Sequence, residues 1–150
     1  MNELHELYRV PVGTAWLPEE PPRLADARPR VFEVSWDYIE DGHLIRHFGG
    51  QVTLEQGLRG STVEVQLEMT PNPNECWQHE PVEESVDLEI DLLSGHGVKR
   101  WSIRHGIGEL RADDGPRKVW SAKHSAAQLL ASDISHMELY LWRERFVRCK

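Results

Sequence analysis

A chain of 150 residues fits one domain and can bury a sizeable core, so neither disulfides nor a metal is needed merely to hold it together. Its net charge of −8 argues against general nucleic-acid binding, which requires a basic footprint to release counterions. No run approaches the length of a membrane span and residues 1–10 hold no apolar signal core. Two cysteines, Cys76 and Cys149, are too few for a disulfide framework, so the expected setting is a reducing one, the cytoplasm. Sequence separation alone does not prevent those two from bonding.

Residues 2–9 place Leu4, Leu7 and Tyr8 at helical spacing, which predicts a short helix or an arm. Pro11, Pro18, Pro21, Pro22 and Pro29 then make residues 1–30 an extended proline-rich leader packed on the body, with Trp16 and Leu17 pinning it down. The body, residues 31–150, reads as a single antiparallel β domain.

Phe32, Val34, Trp36 and Tyr38 alternate with Glu33, Ser35 and Asp37, and Asp41-Gly42 follows, a strong hairpin signal because a type I′ turn needs positive φ. Folding there sets Ile39 opposite Leu44, Tyr38 opposite Ile45, Asp37 opposite Arg46 and Trp36 opposite His47. Gly49-Gly50 predicts a bulge or bend in the return strand. A strand over 62–69 points Val63, Val65, Leu67 and Met69 inward, and 70–84 is a long connection.

The stretch 84–105 folds into a second hairpin about Ser94-Gly95-His96-Gly97. It sets Ile90 opposite Trp101, Leu88 opposite Ile103, Asp91 opposite Arg100 and Asp87 opposite Arg104, leaving one apolar face and one face of opposite charges. A further hairpin, 107–112 with 117–121 about Asp113-Asp114-Gly115-Pro116, places Leu110 opposite Val119. Ala122, Ala126, Leu129 and Leu130 predict a helix over 121–131. Residues 136–147 read as a strand through Met137, Leu139 and Leu141 against Tyr140 and Trp142, although Ser135 and Glu138 could open a helix as a capping box. The sum is a mainly β fold of seven to eight antiparallel strands in successive hairpins, with one short helix near the C-terminus, arranged as a β-sandwich or a partly closed β-barrel.

Charge is unevenly spread. Residues 60–98 hold 9 acidic and no basic side chains, whereas 99–150 hold 6 acidic and 11 basic. Acidic strands pairing with basic ones explain most of this, and an acidic face meeting a basic partner is the sharper alternative. The long connection is the leading candidate for such a partner: Trp77 stands among Glu75, His79, Glu80, Glu83 and Glu84, so an aromatic anchor is rimmed by carboxylates.

Cys76 and His79 form half of a zinc site, and no second pair at the required spacing completes it. His43 and His47 are four apart on a strand, about 13 Å, too far to share a metal. Glu109, Asp113 and Asp114 match no calcium loop, and 105–108 lacks the rest of a phosphate-cradling loop. No Gly-x-Ser-x-Gly elbow occurs. No cofactor or metal is therefore expected. The favoured reading is a non-catalytic interaction protein, an inhibitory or immunity-like acidic domain binding a basic protein partner. The alternatives are a small-ligand-binding β-barrel lined by Phe32, Trp36, Trp101 and Ile103, and an enzyme with a scattered active site. An uncovered edge strand would also allow a homodimer.

Overall fold

The computed structural model describes residues 7–17 and 29–149. Among these, ten strands form in the order β1 (Tyr8–Trp16), β2 (Arg30–Glu40), β3 (His43–Gly57), β4 (Gly60–Pro71), β5 (Trp77–Glu80), β6 (Val86–Leu93), β7 (Lys99–Gly108), β8 (Arg117–Ala127), β9 (His136–Arg143) and β10 (Arg145–Arg148). They build a first sheet in the order β1-β9-β6-β7, a second in the order β2-β3-β4-β8, and a separate ribbon of β5 with β10. All pairings are antiparallel. The two four-stranded sheets face each other as a sandwich and do not close into a barrel, which removes the barrel-cavity alternative.

The period-two alternation explains the layers. Phe32, Val34, Phe48, Val52, Val65 and Leu67 from the second sheet meet Leu88, Ile90, Leu92, Leu139 and Leu141 from the first, all essentially buried. Each such side chain contributes roughly 1.5–3 kcal/mol relative to exposure. At one seam Trp36 of β2 lies so close to the β1 backbone that a Cβ on Gly13 would stand 2.2 Å from its ring. At the other, His105 of β7 stacks on Trp120 of β8 with ring centroids 4.7 Å apart. Trp16 stacks on His136 at 4.0 Å and the Leu17 amide donates to the Ser135 carbonyl, tying residues 8–17 to the first sheet; residues 2–6 of the predicted helix or arm lie outside the described residues.

Several sequence expectations need correction. In the β2–β3 hairpin Ile39 faces Leu44 as predicted, but Tyr38 pairs with Arg46 and Trp36 with Phe48, because a bulge leaves Ile45 as an extra residue. In the β6–β7 hairpin the longer turn shifts the register by two, so Ile90 faces Ile103 and Leu92 faces Trp101. A two-residue shift keeps every side chain on its predicted face. The Asp87–Arg104 ion pair still forms, diagonally, at 2.6 Å, while Lys99 and not Arg100 reaches Asp91.

The hairpin predicted between 107–112 and 117–121 does not exist. β7 runs to Gly108 in the first sheet, and the chain crosses to the second sheet, where β8 pairs with β4. The helix predicted over 121–131 is replaced by β8 and a single 3₁₀ turn at Ala131–Asp133. Ala122, His124 and Ala126 alternate with Ser121, Lys123 and Ser125, a strand pattern that completes a four-stranded sheet and overrides the helix preference of alanine. Gln128, at φ 66°, then ends the strand.

Candidate functional site

The 70–84 connection is folded onto the body. The Asn72 side chain bonds the Leu44 carbonyl and accepts the Asn74 and Glu75 amides, forming a local turn. Short β5 follows, paired with β10, and the Cys76–Cys149 disulfide fixes both at one end. Glu75 accepts the Trp77 indole N–H at 3.0 Å and also meets His43 at 3.0 Å and Arg148 at 3.8 Å. The Trp77 donor, with His43 and Arg148, holds the Glu75 carboxyl below its ordinary range. Glu80 pairs with Arg145. Trp77 packs half-buried against the core.

His79 takes no part in any surface. It is 1 % exposed, its Nδ1 meets the Pro81 carbonyl and its Nε2 accepts the Glu144 amide, so the partner-facing role expected for it is corrected to a structural one. Of the six residues expected at a docking loop, Glu83 is the most open, Glu84 is half-buried, and Glu75 and Glu80 already serve internal cations. Cys76 is bonded to Cys149 and His79 is held by hydrogen bonds, so the half zinc site has no ligand to offer. Among the described residues no cluster of three His, Cys, Asp or Glu could hold a metal.

A polar network unforeseen from the sequence covers the outer face of the first sheet. Glu89 and Asp91, on the central strand β6, are 7 % and 1 % exposed. Arg9 donates to Glu89 at 2.7 Å and to Asp91 at 2.6 Å, Trp142 Nε1 donates to Glu89, and Ser102 donates to Asp91. Arg9 lies 3.5 Å over the Tyr140 ring and Arg104 4.1 Å over Trp142, so cations cover the aromatic faces. Burial would raise Glu89, but the Arg9 and Trp142 donors bring it down to about 2; burial and the neighbouring Glu89 push Asp91 up. Divergent carboxylates of this kind are a mark of acid–base sites. Here Arg9, Trp142 and Ser102 occupy the space a substrate would need, and the pair works as the clamp that fastens β1 across β9 to β6.

The outer face of the second sheet is different. Antiparallel register aligns Glu33, Gln51 and Gln66 in one row and Ser35, Gly49 and Glu68 in the next. With no side chain at Gly49, the sheet is dented, and a trough of about 540 Å³ opens between Glu33, Gln51, Gln66, Glu68 and Lys118. Gly50 makes the dent feasible: its φ is +132° and a Cβ there would stand 1.9 Å from the Gln66 carbonyl oxygen. Glu33, Glu55 and Glu68 are exposed and make no ion pair or side-chain hydrogen bond among the described residues. Sequence reading noted the glycine pair only as a bend; the outward alternation of Glu33 and Glu68 was the available signal, and only the strand register brings them together.

Searches against family models, curated proteins and solved structures find no match for this chain.

Proposed function

We propose that the protein is a non-catalytic acidic interaction domain that binds a basic protein partner, and that it does so through the outer face of the β2-β3-β4-β8 sheet and not through the 70–84 loop. The observation that carries this reading is the placement of carboxylates without internal cations. Glu33 and Glu68 flank a trough wide enough for an extended Lys or Arg side chain, with Ser35, Gln51 and Gln66 as hydrogen-bonding neighbours. The loop carboxylates Glu75 and Glu80, in contrast, are spent on His43, Arg148 and Arg145. Lys118 stands in register with Glu68 and competes with an incoming cation, so its removal strengthens binding.

Across such a face, complementary charge accelerates association and makes affinity fall as salt rises. The test is titration with a Lys-rich peptide at low ionic strength. The reading expects Glu33→Lys with Glu68→Lys to weaken binding by about tenfold or more and Lys118→Glu to strengthen it. Equal affinity for all three proteins contradicts it.

The cysteine pair bears on where this happens. No helix among the described residues is long and apolar enough to cross a membrane. A disulfide joining residues 73 apart in sequence supports an oxidising compartment over the cytoplasm expected from cysteine content alone.

A further inference from the structure

A second concavity, separate from the trough and independent of the docking proposal, lies where β3 and β4 end beneath the 70–84 loop. It measures about 290 Å³ and is lined by Arg46, Pro71, Asn72, Glu75, Trp77 and Asp114, among others. Its floor is unusual. Arg46 is 1 % exposed, and the bulge at Ile45 turns it toward the interior alongside Phe48.

The guanidinium is only partly satisfied. Nη1 donates to the Ile45 carbonyl at 2.8 Å, while Nη2 makes a long contact to the Arg111 carbonyl at 3.2 Å and lies 3.6 Å from Asp114. Nε is buried with no acceptor. Nε and Nη2 form one edge of the guanidinium, the edge that carboxylates take side-on as a two-pronged acceptor. Because Nη2 is directed to Asp114, a wall of the cavity, Nε on the same edge faces that way too. A buried cationic donor without an acceptor is costly, so the edge is poised for an anionic oxygen pair.

The rest of the wall narrows the ligand. Asp114 already accepts the Arg111 amide at 2.9 Å, and Glu75 stands at the other side with Trp77. One cationic edge facing two carboxylates matches a molecule that carries both charges, and carboxylates retain lone pairs for further donors. Pro71 and the Trp77 indole supply an apolar surface for a short side chain.

We propose that this cavity binds a zwitterion of the α-amino acid class, its carboxylate on the Nε–Nη2 edge of Arg46, its ammonium between Glu75 and Asp114, and its side chain against Trp77 and Pro71. Removing Arg46 risks unfolding the end of the sandwich, so the decisive experiment varies the ligand on the wild-type protein. L-leucine, leucinamide and 4-methylpentanoate are titrated while the Arg46 Nε–Hε and Trp77 indole resonances are followed by NMR. The proposal expects leucine to move both resonances and to bind roughly tenfold or more tightly than leucinamide, which lacks the carboxylate, and than 4-methylpentanoate, which lacks the ammonium. It expects Glu75→Gln to weaken leucine while leaving 4-methylpentanoate unchanged. No movement of the Arg46 resonance at tens of millimolar leucine overturns it, as does leucinamide or 4-methylpentanoate binding as tightly as leucine.

Discussion

Glu89 and Asp91 sit two residues apart on a central strand, where the period-two rule puts both on the outer face and would leave both in water. Arg9 and Trp142 close over them instead. Since Glu89 titrates at about 2 in the fold against an ordinary 4.5, it contributes stability that is complete above pH 4.5 and is lost as pH falls toward 2. His79 acts in the same direction higher up: burial lowers its pKa below 6.5, so its contribution is full above 6.5 and lost as pH falls below that. Denaturant midpoints measured across this range should fall first below pH 6.5 and again below 4.5, and Glu89→Gln should flatten the second decline. A midpoint flat from pH 7 to 3 contradicts this. Neither residue's burial was legible, because the partners, Arg9 and Glu144, lie 80 and 65 positions away along the chain. Gly50 was legible as a special position but not for its reason. With its φ of +132° and the Gln66 carbonyl beside it, Gly50→Ala should cost roughly 2–4 kcal/mol in equilibrium unfolding, and a cost under about 0.5 kcal/mol would contradict the close approach.

Among the elements, those built from neighbours in sequence were the readable ones. Asp41-Gly42 and the alternation on either side identify the β2–β3 hairpin, and the 62–69 strand lies inside β4. Register was lost wherever a strand carries an extra residue, as at Ile45, since a bulge changes the pairing without changing the pattern that announces a strand. β8 was misread as helix because its alanines satisfy both periods, and only the vacant place beside β4 decides between them. The ribbon of β5 and β10 could not be foreseen at all: two four-residue strands are too short to announce themselves, and their partnership rests on the disulfide. Closing a loop of that length restricts the unfolded chain, so reduction of Cys76–Cys149 should lower stability by about 4 kcal/mol. Thermal unfolding with and without a reductant checks this, and an unchanged transition would mean the ribbon is held without the bond.

Across the whole molecule, the sandwich separates two kinds of polar surface. The first sheet balances its charges in a closed network of Arg9, Glu89, Asp91, Lys99, Asp87 and Arg104. The second leaves Glu33, Glu55 and Glu68 without ion partners among the described residues, so part of the acidic excess announced by composition lies exposed there. Composition could announce an acidic face; it could not say which face, and the eye was drawn to the Trp77 loop because its carboxylates are adjacent in sequence. The measurement that tests this most directly is an NMR titration of the folded, disulfide-bonded protein with a decalysine peptide at low salt. The account predicts amide shifts concentrated at Glu33, Ser35, Gln51, Gln66 and Glu68, fading as salt is raised, with the Glu75 and Glu80 amides unmoved. Shifts concentrated in the 70–84 loop, or spread evenly over both sheets, would contradict it.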